Sequence, residues 1–189
     1  AQLMKYAGED GISAYGTIMY VNFIFLAVFI GYSTGIAPIT SYHYGAGNKK
    51  ELNNILKRSS VIIGIVAIAM CGISEFLANS LASVFVGYDK ELLTMTTHAF
   101  RIYGIAFLFS GISIFGSAFF TALNDGLTSA TIAFLRTLLF QCSSVLIMPI
   151  FFGLDGIWFS IIVAETLSVA VTITFLAIKN KKFGYWGKF

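Results

Sequence analysis

Charged residues fall in bunches along this chain, and between the bunches lie five long stretches without Asp, Glu, Lys or Arg: 11 to 48, 59 to 74, 102 to 124, 137 to 154 and 166 to 178. Extended a few residues across isolated flanking charges, these read as membrane crossings, because about 20 apolar residues in an α-helix span a hydrocarbon core about 30 Å thick. Spans are expected at approximately 12–44, 59–77, 96–122, 129–152 and 157–178. No alternation of period two recurs, which argues against a β-barrel. The predicted fold is all-α: a polytopic helical membrane protein of about five transmembrane helices, forming one domain over 1–189.

The first span is long for one crossing, and Gly31, Gly35 and Pro38 in its second half predict a kink or a break. It ends on a turn at Gly45-Ala46-Gly47-Asn48, where Asn48 is a candidate N-cap for KKELNNILKR, a short amphipathic helix expected at the membrane surface. Residues 78 to 92 read as an interfacial turn and short helix, LNDG as a turn before span four, and Gly153-Leu154-Asp155-Gly156 as a tight turn before span five.

Composition sharpens this picture. The chain is 57% hydrophobic and 11% charged, against about 25% charged in ordinary soluble domains, so a water-soluble enzyme is not expected. The net charge of +3 reports orientation rather than a nucleic-acid partner. With the 45–58 turn in the cytoplasm, that side holds Lys49, Lys50, Lys57, Arg58, Lys179, Lys181, Lys182 and Lys188, against Lys5, Lys90 and Arg101 opposite. The N-terminus of the chain is then outside and the C-terminus inside. Tyr88, Trp158, Tyr185 and Trp186 fall near span ends, where aromatic belts form. Cys71 and Cys142 lie inside apolar runs and suggest no disulfide framework. The chain opens on Ala1 with a polar segment unlike a signal peptide, and is read as a fragment lacking its upstream part.

Catalytic motifs are weak. Gly31-Tyr32-Ser33-Thr34-Gly35 fits G-x-S-x-G but lies in an apolar helix without its strand-turn-helix setting, and it reads better as a G-x-x-x-G packing face. His43 and His98 fall at opposite membrane faces without ligand partners, so no metal and no cofactor are expected.

The informative residues are Arg136 and Glu165, because a lone charge in hydrocarbon costs at least about 2.5 to 3.5 kcal/mol. Arg136 lies about 10 Å into span four from one side and Glu165 about 12 Å into span five from the other. They are candidates for a buried pair, bridged if necessary by Gln141, that either pins the two spans or couples a proton or substrate. Glu75, nearer a span end, reads as interfacial. Tyr20, Asn22, Ser110, Ser113 and Gln141 are candidates for the wall of a substrate cavity, with helix packing as the alternative.

The segment GYSTGIAPITSYHYGAGNKKELNNILKRS (31–59) resembles the helix-end and loop signature of the multidrug and toxic-compound extrusion (MATE) transporters. SATIAFLRTLLFQ around Arg136 and FGLDGIWFSIIVAETLS (152–168) are similar to that family's final hairpin. The resemblance implies a bacterial inner-membrane transporter of twelve helices in two lobes, which exchanges amphipathic or cationic compounds for Na⁺ or H⁺. This chain would supply helices eight to twelve, and its partners would be the bilayer and the absent N-terminal lobe. Where many relatives carry an acid in the helix matching span three, Ser110 stands here. A lipid-linked sugar flippase of the same superfamily and a small structural membrane subunit are the alternatives.

Overall fold

The computed structural model describes residues 2–187, and among them every regular element is helical. In chain order these are α1 (Gln2–Gly45), α2 (Lys49–Phe76), α3 (Ala78–Val86), α4 (Lys90–Gly104), α5 (Phe107–Ala122), α6 (Gly126–Phe134), a π-helical segment (Leu135–Phe140) and α7 (Gln141–Phe183).

Two glycines divide elements that otherwise run on as continuous helix. Gly8 in α1 and Gly153 in α7 adopt φ of 58° and 57°, a region nearly closed to residues with a Cβ. At Gly153 the chain reverses, because Asp125 reaches Lys179 and Arg136 reaches Glu165 across it. The segment 126–183 is therefore an antiparallel hairpin of two apolar arms. The segments α1, α2 and 126–183 are each long and apolar enough to cross a membrane, and the bent α4–α5 pair is a fourth; counting the two arms of the hairpin separately gives five apolar passes.

Helix boundaries differ from the expected spans in ways that backbone hydrogen bonding explains. α1 runs through Gly31, Gly35 and Pro38 without interruption, and its break lies at Gly8 instead. In hydrocarbon a break leaves backbone groups unpaired unless a neighbour satisfies them, and there is open space around both Gly31 and Gly35. The amphipathic segment after Asn48 is not a separate surface helix: it continues into α2 over 28 residues, with no Gly or Pro between Lys49 and Ile63 to stop it. Asn48 caps it by accepting from the Glu51 N–H at 3.1 Å. Span three is two helices, α4 and α5, bent by 49°. At the bend, the Ile105 and Ala106 N–H groups turn back to the Ile102 and Tyr103 carbonyls in tight three-residue steps.

The interior is packed in two clusters at opposite ends of the bundle. One gathers Ile18, Phe25, Phe100, Phe107 and Trp158; the other gathers Phe29, Leu52, Phe119, Phe120, Phe183 and Tyr185. Two of the expected belt aromatics are thus core residues, Trp158 at 1% exposure and Tyr185 at 0%, whereas Tyr88 and Trp186 do face outward. The second cluster is closed by the chain's last described residues. There the Tyr185 hydroxyl donates to the Leu176 carbonyl at 2.8 Å, and Asn53 Nδ2 donates to the Gly187 carbonyl at 2.7 Å.

Candidate functional site

Arg136 and Glu165 meet directly, without a bridge. Arg136 Nε donates to both carboxylate oxygens at 3.0 Å, and its Nη2 donates to Oε1 at 2.7 Å. Arg136 sits on the π-helical segment, whose turns are wider than those of an α-helix, and its long side chain spans the depth gap inferred from residue counting. Side-chain exposure is 21% for Arg136 and 5% for Glu165, so the carboxylate is the enclosed member and the guanidinium the one that stays accessible.

Two cavities lie in this part of the bundle, and Arg136 lines the smaller of them. The larger, 350 Å³, is lined by Tyr15, Tyr103, Gln141, Trp158 and Ser160 among others. Its walls are mostly apolar, yet the buried Trp158 indole N–H has no partner among the described residues. The smaller, 210 Å³, lies between α1, α5 and the π-helical segment, and Arg136, Thr137, Ser113 and Ser117 line it.

The remaining candidates are dispersed. Ser113 is buried at the smaller cavity and its hydroxyl is unpaired. Gln141 lines the larger one rather than bridging the ion pair. Ser110 is buried and donates to the Ala106 carbonyl of its own chain segment at 3.0 Å. Asn22 is buried on α1 but lines neither cavity, and Tyr20 is exposed, stacked on Phe85 with centroids 5.9 Å apart. Gly31 and Gly35 offer no packing face to any helix of this chain, since nothing lies within 4 Å of a Cβ built on either. Gly45 ends α1, and Gly47 takes a φ of 67° in the turn that follows.

Sequence reasoning missed two contacts. Asp125 caps α6 by accepting from the Thr128 N–H, and it also pairs with Lys179 Nζ at 2.9 Å. Burial pushes its carboxyl up, but the Lys179 and Thr128 hydrogen bonds outweigh this and hold it below its ordinary value. An Asp just before an apolar helical run is a readable N-cap signal; its partner on the opposite arm is not. The second contact is His98 Nε2 with Asp155 Oδ1 at 3.0 Å, both exposed, tying α4 to the hairpin turn. Among the described residues, no three His, Cys, Asp or Glu side chains gather where a metal could be held.

Five apolar passes, a buried ion pair between the arms of a hairpin and a cavity beside it define a segment of a polytopic α-helical membrane protein. The MatE family model matches residues 2–147. The chain belongs to the MatE family. It is 25% identical over 166 residues to the multidrug export protein MepA of Staphylococcus aureus, a match covering 87% of this chain and 36% of that protein. Against the MepA of Staphylococcus saprophyticus the identity is 27% over 168 residues, covering 85% and 35%. The chain therefore spans about a third of the length of these relatives. Its fold matches an outward-facing multidrug resistance MATE family transporter with a TM-score of 0.90 at 18% identity, over 97% of this chain and 42% of that one. An inward-facing MATE family transporter gives 0.90 at 17% identity, over 98% and 43%.

Proposed function

We propose that this chain is the C-terminal-lobe part of a secondary active efflux transporter, which exports amphipathic and often cationic compounds in exchange for Na⁺ or H⁺. The observation that carries this is the equal likeness of one intact bundle to an outward-facing and an inward-facing transporter. A segment that keeps its shape across both states suits a lobe that rocks as a body about a central cavity.

Orientation follows from charge. Lys49 packs beside Gly184, and Lys179 reaches Asp125, so the turns at 45–48, 123–125 and 184 share one end of the bundle. That end carries Lys49, Lys50, Lys57, Arg58, Lys179, Lys181 and Lys182, while Lys188 lies outside the described residues. The excess of Lys and Arg supports a cytoplasmic location for this end, in a bacterial inner membrane. Coupling falls to Glu165, the acid most deeply enclosed at membrane depth among the described residues, or to acids of the other lobe.

The test is ethidium efflux from pump-deficient bacteria expressing the full-length gene product. Energised efflux that stops when the ion gradient is collapsed is expected, and replacing Na⁺ separates the two coupling ions. Glu165→Gln is expected to impair export or folding; normal expression with unchanged efflux would remove Glu165 from the mechanism. Expression without any energised efflux overturns the transporter assignment.

A further inference from the structure

The contacts of Arg136 leave part of it unused. A guanidinium has five N–H donors in a planar fork. Here Nε and Nη2 serve Glu165, while Nη1 makes no hydrogen bond among the described residues. The accessible member of the pair is this cation, and it lines the 210 Å³ cavity.

A second group in the same cavity is also unsatisfied. Ser113 lines it, is 1% exposed, and its hydroxyl has no partner. Buried polar atoms are nearly always hydrogen-bonded, so an orphan donor beside an unused guanidinium edge marks a place for an acceptor. Thr137 adds a second hydroxyl-bearing side chain, and Ile30 and Ile114 supply apolar wall. The neighbouring Ser117 is already engaged with Ser129 at 2.9 Å.

The geometry points to a carboxylate-receiving subsite: the free edge of Arg136 and the Ser113 hydroxyl hold the carboxylate of an amphipathic zwitterionic substrate, whose apolar body rests on Ile30 and Ile114. The inference deepens the proposed transport function and rests on it. Charge selects the zwitterion over a simple anion. Arg136 and Glu165 together are neutral, so an added anion would leave one uncompensated negative charge in an apolar surrounding, which is strongly unfavourable. A zwitterion brings its own cation and leaves the site neutral. Guanidinium suits this task because its planar fork can engage two carboxylates along different edges.

The experiment measures equilibrium binding of a zwitterionic rhodamine and of its methyl ester to the purified full-length transporter. Both dyes are titrated into the same preparation, so their affinity ratio does not depend on the fraction of protein folded. Arg136→Gln with Glu165→Gln removes the charge without stranding Glu165, and the zwitterion-to-ester ratio is expected to fall about tenfold or more. Ser113→Ala, which leaves the ion pair intact, is expected to lower the ratio about threefold. An unchanged ratio in both variants overturns the subsite, and so does wild-type binding of the ester without the zwitterion. Full displacement of the zwitterion by millimolar chloride identifies an inorganic-anion site and also overturns the carboxylate assignment. If the wild-type protein binds and exports neither dye, it is the transporter assignment that fails.

Discussion

The two arms of the 126–183 hairpin are tied at two heights by two different ion pairs. Arg136–Glu165 lies at membrane depth, bidentate, with 5% exposure of its carboxylate, and it borders a cavity. Asp125–Lys179 lies at the end of the hairpin, where a single 2.9 Å contact is reinforced because Asp125 also caps α6. The first pair has little water with which to share its charge, so each member depends on the other. The second has a helix terminus and a lysine that is 28% exposed, so losing one contact leaves the rest in place. One pair is a commitment and the other an anchor, and thermal unfolding of the full-length protein in detergent can separate them.

The largest effect is expected from Arg136→Leu. It leaves Glu165 enclosed without a counter-charge and should cost about 3–5 kcal/mol. Adding Glu165→Leu should recover most of that loss, because apolar replacement of both members removes the unpaired charge. A single substitution at Arg136 that costs no more than Lys179→Ala would erase the distinction.

Asp125→Ala should cost about 1–2 kcal/mol, the usual range for losing a helix cap. The pH dependence carries the same sign. The folded carboxyl titrates below its ordinary 3.8, so its contribution is complete well above that value and disappears as the pH falls through the lower folded one. A melting temperature of the wild type that falls below pH 4 more steeply than that of Asp125→Ala is the expected signature.

The smallest effect belongs to the exposed pair at the other end. His98 and Asp155 keep 59% and 47% side-chain exposure, so His98→Gln should change stability by about 0.5 kcal/mol or less. A larger loss would mean that the outer turn, too, depends on its ion pair.

The charge gaps were enough to read five passes, and Arg136 and Glu165 stood out as the two charges lodged at membrane depth. Their direct contact was not readable, because hydrophobic periodicity does not encode where each side chain points, nor the π-helical segment on which Arg136 sits. The spacing of Gly31 and Gly35 is visible in sequence, but whether a helix lies against them is a property of the assembled bundle. Pro38 illustrates the same limit: α1 continues through it, because a transmembrane helix tolerates proline where local adjustment re-satisfies the carbonyl it leaves free. Tyr185 sits in a polar, basic tail and reads as an interface residue, yet it is fully buried. What buries it is a fold-back onto Phe119 and Phe120, at ring distances of 5.3 and 6.5 Å, from an element more than sixty positions earlier.

The hydrogen bond from Asn53 to the Gly187 carbonyl joins residues 134 positions apart. Translation delivers Asn53 long before Gly187, so α2 must wait in the membrane with that amide uncommitted while the hairpin is still being made. That end of the bundle is therefore fastened only after the whole 126–183 hairpin has been made.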